Sequence, residues 1–348
     1  MVGSLKQARV VLTAGRVGLV INAALALVVL VLAGVLVTRI AAGGLSYFIQ
    51  ILSFGIGNGS IYALIALGYT MVYGIVELIN FAHGDVFAMG GFVALFLLPL
   101  FGVDESKGGT AAVVLPLIAV FLITMVFCGL VNITIERVAY RPLRRAPRLA
   151  PLITAVGMSF VIEGILFLWK GPFNTHFPNL LPTTGIPLVA GASIGSKDVI
   201  VIVVSWVLVG ALSVYIERSK LGKAMRATAQ NPDAAELMGI DINRTIAATF
   251  FIGAVLAGAG GTMYGLYYNN IVFDTGFSAG LFAFTAAVFG GIGNIRGAAV
   301  GGLLIGIVST LWDGYFDSAW TQVVMFGILI LVLVFRPTGL FGMMVPEK

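Results

Sequence analysis

Residues 111–135 read AAVVLPLIAVFLITMVFCGLVNITI, a stretch without one charged side chain. A helix needs about 20 consecutive apolar residues to cross the hydrocarbon core of a bilayer, and this run exceeds that. Comparable runs lie near 17–38, 46–74, 86–101, 151–169, 198–216, 245–268, 278–290, 297–312 and 320–335, which makes about ten in all. The run at 46–74 is too long for one straight crossing, and those starting at 86, 278 and 297 are short. Tilted, broken or re-entrant pieces are therefore expected among them. Composition agrees: of 348 residues 59% are hydrophobic and 10% charged, against roughly 25% charged in a soluble globular chain. The expectation is an all-α polytopic bundle of about 8–10 spans.

Charge fixes an orientation for those spans. With the N-terminus in the cytoplasm and strict alternation, the inner segments collect Lys6, Arg9, Arg16, Arg137, Arg141, Arg144, Arg145, Arg148, Arg218, Lys220, Lys223, Arg226, Arg244, Arg296, Arg336 and Lys348. The outer segments keep Arg39, Lys107, Lys170 and Lys197. The positive-inside rule selects this frame, with both termini cytoplasmic, over its inverse. The first apolar run exceeds a signal peptide's h-region and reads as a retained anchor. The basic excess, 20 against 15 acidic residues, is fully used as a topology signal and implies no nucleic acid.

Glycine is abundant, at 45 residues, and much of it recurs at four-residue spacing: Gly293, Gly297 and Gly301, Gly302 with Gly306, Gly261 with Gly265. Small residues on one helix face let backbones approach closely inside lipid.

Several chemistries are absent. The one Gly-Lys pair, Gly222-Lys223, is followed by Ala224, and Glu217 stands where a phosphate-binding loop needs its first glycine; that motif is not met. One cysteine, Cys128, and two distant histidines, His83 and His176, give neither a disulfide framework nor a zinc cluster. No catalytic set is expected, and no cofactor or metal. Glu163 lies deep in the 151–169 run, where an ionisable residue is expensive. It reads as a structural carboxyl, as a neighbour of a solute path, or as a proton site that lacks a charged partner at matching depth.

Two segments carry more information. Residues 58–91, NGSIYALIALGYTMVYGIVELINFAHGDVFAMGG, hold Asn58, Tyr62, Tyr69, Thr70 and Tyr73, then Glu77, Asn80, His83 and Asp85. Such groups need partners inside a bundle, and broken helices near the midplane are where transporters hold solutes. The competing reading of residues 80–85 is an interfacial turn with Asp85 capping the next helix. Residues 217–244, ERSKLGKAMRATAQNPDAAELMGIDINR, form the longest polar stretch. Asn231 as N-cap, Pro232 at the first helical position, Asp233 in the first turn and Gly239 at the stop outline a two-turn helix. It presents Ala234, Ala235, Leu237 and Met238 either to the bilayer surface or to a cytoplasmic partner.

The 58–91 segment, RVAYRPLRRAPRLAPLITAVGMS at 137–159, LGKAMRATAQNPDAAELMGIDINR at 221–244, FTAAVFGGIGNIRGAAVGG at 284–302 and RPTGLFG at 336–342 together resemble the permease subunits of ABC importers for branched-chain amino acids, the LivH type. The resemblance covers about 45–342. It departs at residues 1–44, which add one extra expected span ahead of a permease domain at 45–348, at a variable outer loop near 170–197, and at Glu163, where an uncharged polar residue such as Gln is expected.

The resemblance implies a multi-pass protein of the bacterial inner membrane that binds no ATP itself. Its partners would be a second, related permease in a heterodimer, two cytoplasmic ATP-binding subunits, and a periplasmic or lipid-anchored substrate-binding protein. Coupling to the ATPases would fall on loop 217–244, at Leu221, Gly222, Arg226, Asn231, Asp233, Ala234, Ala235, Leu237 and Gly239. The solute path would fall on Asn58, Tyr62, Thr70, Glu77, Asn80, His83 and Asn294, with Glu163 beside it. A sister system for urea, short amides or another small solute, and a proton-coupled carrier using Glu163, are the alternatives.

Overall fold

A computed structural model describes residues 31–144, 146–147, 149–336 and 338–342, and for residues 2–30 the helical backbone. Lys6, Arg9, Arg16, Arg145, Arg148 and Lys348 of the charge count, and most of the first apolar run, have side chains outside the described residues. Each expected run falls in a helix. They are α1 (Val2–Val76), α2 (Ala82–Leu100), α3 (Ala111–Ile135), α4 (Leu149–Lys170), α5 (Ser196–Arg218), α8 (Ile242–Tyr268), α9 (Thr275–Gly290), α10 (Ile295–Tyr315) and α11 (Thr321–Phe335). α1 holds two of the runs, broken at Gly44, whose φ of 81° and ψ of 158° lie outside helical space; glycine takes such angles without the steric penalty of a Cβ. The loop between α5 and α8 carries α6 (Lys220–Gln230) and α7 (Pro232–Leu237).

The expected irregularities fall differently from the expectation in two places. Residues 45–76 form one unbroken helix, so the polar side chains there do not interrupt it, and the break comes after it, at 77–81. The run starting at 297 is not short either, because α10 adds residues at both ends and reaches 21. α9, at 16 residues, stays short.

Contacts between loops sort by the side each was given by charge. Arg144 meets Asn243 and Glu136, and Arg296 pairs with Glu217 at 2.5 Å, all on the inner side. On the outer side Lys197 donates to Asn269 at 2.5 Å, and β1 (Thr175–His176) pairs antiparallel with β4 (Asn270–Ile271). A second outer hairpin joins β2 (Gly185–Pro187) to β3 (Ser193–Gly195).

α2 and α8 are the most enclosed spans, whereas α3, α4, α5 and α11 turn apolar faces outward. The glycine spacing explains how the central helices close. A Cβ on Gly306 would stand 2.1 Å from the Gly59 Cα, one on Gly302 2.4 Å from the Ala63 Cα, and one on Gly261 2.0 Å from the Phe87 carbonyl oxygen. α1 therefore lies backbone to backbone on α10, and α2 on α8, where dispersion and weak backbone contacts replace the hydrophobic drive that lipid removes.

Candidate functional site: a broken polar segment and an exposed loop helix

The chain leaves α1 through Glu77, a non-glycine residue at φ 55°, and re-enters helix at Ala82. Left-handed backbone costs such a residue about 1–2 kcal/mol, so the surroundings must hold it. Glu77 N–H donates back to the Tyr73 carbonyl at 2.8 Å, and three residues on, Asn80 is 1% exposed: its Oδ1 accepts from the Tyr140 hydroxyl at 2.9 Å and its Nδ2 donates to Asn132 Oδ1 at 3.4 Å. Asn132 in turn donates to the Phe250 carbonyl at 2.7 Å. Asn80 and its neighbours are thus enclosed by α3 and α8 and do not form a solvated turn.

His83 and Asp85 follow on α2, both fully buried. Asp85 does not cap the helix as the turn reading requires. The residue ahead of α2 is Phe81, with no side-chain cap, and Asp85 instead accepts a hydrogen bond from Ser159 of α4. Its other oxygen has no hydrogen-bond partner among the described residues. The His83 ring stacks edge-on against Tyr69 at 5.0 Å and has the Ile65 carbonyl beside it, yet neither ring nitrogen makes a hydrogen bond of normal geometry. Thr70 Oγ1 and Asn58 Oδ1 are likewise buried and unpaired. Tyr62 is buried against Phe282, rings 5.7 Å apart, and Thr70 opens on a narrow cleft shared with Tyr69, Tyr73, Ile79 and Phe284. Leaving a polar group buried without a partner costs about 1–3 kcal/mol, so a cluster of them in one bundle needs a compensating role.

Two expected path residues sit elsewhere. Asn294 caps α10, accepting from Gly297 N–H at 3.1 Å, and donates to the Phe341 carbonyl at 2.9 Å; both ends of its amide are engaged in closing the inner end of the bundle. Glu163 is half-buried on α4, one turn beyond Ser159. The expectation that it has no charged neighbour at its depth fails, because it lies close enough to Asp85 and to Asp274 for mutual repulsion. The fold creates this proximity by crossing α2 with α4 and by laying the start of α9 against Gly84 and Asp85 of α2.

The loop between α5 and α8 folds as the capping residues require. Asn231 accepts from Ala234 N–H at 3.0 Å, Pro232 opens α7, and Gly239 closes it at φ 84°. Leu237 and Met238 are 89% and 83% exposed, an apolar tip left uncovered by the described residues. Asn231, Asp233, Ala234 and Gly239 are exposed beside them, but Ala235 is buried and packs inward, which corrects its expected outward placement. The basic arm ahead of α7 is itself the helix α6, capped by Ser219. Within it Gly222 is buried where a Cβ would stand 1.9 Å from the Ile216 carbonyl oxygen, Leu221 packs on the core, and Arg226 donates to that same carbonyl at 2.6 Å. These three shape the loop, while α7 offers the contact surface.

The sequence reading missed Ser159, Asn132 and Tyr140. The signal for Asn132 was present as the one amide in the 111–135 run. Behind it, Glu136 is buried and bonded to Arg144. Partial burial lowers the Arg144 pKa from its ordinary value and the Glu136 carboxylate opposes that shift, so the guanidinium stays charged.

Comparison with known proteins matches this architecture to one family. The family model described as "Branched-chain amino acid transport system / permease component" matches residues 51–333. The high-affinity branched-chain amino acid transport system permease protein BraD of Pseudomonas aeruginosa is 42% identical over 87% of this chain and 98% of its own length. LivH of Escherichia coli is 41% identical over the same shares. A probable permease LivM of Methanocaldococcus jannaschii is 32% identical over 36% of this chain and 40% of its own. No solved structure matches. A match across most of the chain, on a bundle with a broken polar segment and an exposed helix in the loop between α5 and α8, shows that the chain belongs to the branched-chain amino acid transport permease family.

Proposed function

We propose that this chain is one membrane half of an ABC importer that moves branched-chain amino acids inward across the cytoplasmic membrane, both its termini facing the cytoplasm. The similarity to BraD and LivH over 87% of the chain carries the reading. The physical features fit it. Apart from the Glu77 carboxyl, the polar groups from Asn58 to His83 are neutral dipoles set among apolar side chains, which suits a zwitterion with an aliphatic side chain. Weak contacts at several points also let the solute leave. The apolar tip of α7, at Leu237 and Met238, has the exposure of a surface built for another protein.

ATP would be bound and hydrolysed by two cytoplasmic subunits gripping α7, and a periplasmic or lipid-anchored protein would deliver the solute. A second permease of the LivM kind would complete the membrane part. Affinity purification of the chain from its native membrane, with mass identification of what remains attached, tests this composition. Recovery of two kinds of ATP-binding chain or two copies of one, together with a related permease, supports it. Recovery of the chain alone or as a homodimer, under conditions that preserve other importers, contradicts it.

A further inference from the structure

The break at Glu77–Phe81 is wired to the cytoplasmic loop by side chains outside both. α7 is fixed to the start of α8: Ile240 N–H donates to the Ala235 carbonyl at 3.0 Å, Gly239 N–H to that of Glu236 at 2.9 Å, and the Asp241 carboxylate caps Arg244 N–H at 3.0 Å. At the next turn Asn243 accepts from Arg144 Nη1 at 2.8 Å. Arg144 Nη2 pairs with Glu136, the first residue of a π-helical turn, Glu136–Tyr140, that ends α3. The last residue of that turn donates its hydroxyl to Asn80 at 2.9 Å. Asn132 runs a parallel link from Asn80 to the Phe250 carbonyl of α8.

Every step in this line is polar, and Glu136, Tyr140, Asn132 and Asn80 are each no more than 1% exposed. A buried polar network is sensitive to single changes in its members, and in this one Arg144 Nε is buried without a hydrogen-bond partner among the described residues. π turns inside helices concentrate at functional positions, and here the wider turn brings Tyr140 inward against Phe250, rings 5.2 Å apart. At the far end Glu77 holds a backbone conformation that its neighbours must maintain, the kind of strained segment that switches when its supports move.

We propose that Arg144, Glu136 and Tyr140 form an arm through which motion of α6 and α7 reaches Asn80, making Tyr140 a positioning residue for the solute path. The proposal rests on the importer reading above. It explains why Glu136 and Tyr140 are buried beyond the end of α3, with a half-buried Arg144 paired to Glu136.

The test uses the assembled complex in proteoliposomes, with radiolabelled leucine as the probe. Tyr140→Phe keeps the ring on Phe250 and removes only the donor to Asn80. Basal ATP hydrolysis should stay at the wild-type level and thermal stability should fall only by the amount one lost buried hydrogen bond removes, while the ATP hydrolysed per leucine imported rises about fivefold, the scale of one neutral hydrogen bond. Combined with Asn80→Leu, it should add nothing to the loss from Asn80→Leu alone. A wild-type ATP-to-leucine ratio in Tyr140→Phe, or additive losses in the pair, overturns the arm. Should Tyr140→Phe not assemble, Arg144→Lys, which cannot reach Glu136 and Asn243 together, must show the same raised ratio, and a normal ratio there overturns the arm equally. Absence of ATP-driven leucine uptake in the wild-type complex would instead sink the importer reading on which the arm depends.

Discussion

The Ser159 hydroxyl donates to the Asp85 carboxylate and so joins the middle of α4 to the first turn of α2. Both residues are buried, and the second Asp85 oxygen has no hydrogen-bond partner among the described residues. Ser159→Ala strips the carboxyl of its one side-chain hydrogen bond, and about 1–3 kcal/mol of stability should go with it. Thermal unfolding of the purified chain in detergent reads this as a lowered midpoint. Ser159→Thr, which keeps a hydroxyl, should restore most of it.

Topology is testable by thiol labelling. Cys128 is buried with its Sγ 3.6 Å from the Val86 carbonyl, so Cys128→Ser preserves a donor there and leaves a chain without cysteine. Single cysteines at Lys107 and Asp317 should then react with an impermeant reagent in whole cells, and those at Lys223 and Asp233 should react only after lysis. The reverse pattern would invert the bundle.

α7 carries the expected contact with an ATPase subunit. Leu237→Asp alters a side chain that is 89% exposed, so folding and membrane insertion should be unaffected. Stimulation of ATP hydrolysis by loaded binding protein should fall by an order of magnitude. An unchanged stimulated rate would reduce α7 to a surface helix.

Glycine at the α1–α10 contact should be intolerant in proportion to how closely the two backbones approach. Gly306→Val must push α10 off Gly59 and should reduce membrane yield and thermal stability sharply. A Cβ on Gly210 of α5 would meet nothing within 4 Å, so Gly210→Ala should be neutral or stabilise by up to about 1 kcal/mol. Equal effects at the two sites would contradict the packing account.

Neutral dipoles along the path predict that Asn58→Leu and Asn80→Leu, similar in volume but unable to hydrogen-bond, lower uptake while leaving the binding protein's affinity for solute unchanged. Asn294→Leu should act differently, lowering stability through loss of its cap by about 1 kcal/mol. Uptake at the wild-type level in both Asn58→Leu and Asn80→Leu would make these residues helix stitching only.

How much of this was legible varies by the range of the interaction. The helices followed from the apolar runs, because span length is a local property. α7 was legible for the same reason: Asn231, Pro232 and Gly239 act within one turn of themselves. The Asp85–Ser159 bond was not, since the residues stand far apart in sequence and only the crossing of α2 with α4 makes them neighbours. Ala235 was misplaced because a two-turn helix gives too few positions to define a face. Asn294 was placed on the path by the family resemblance, while its cap position at the start of α10 gives it a local structural role.

Partner ATPases, and no ion gradient, are expected to drive solute through this chain. The direct measurement is leucine accumulation in proteoliposomes holding the complete complex, with binding protein outside, with and without internal ATP, and with a protonophore. Accumulation that needs ATP and binding protein and persists when the proton gradient collapses is the predicted result. Uptake that proceeds without ATP and stops with the protonophore would contradict it and return attention to Glu163 and Asp85 as proton carriers.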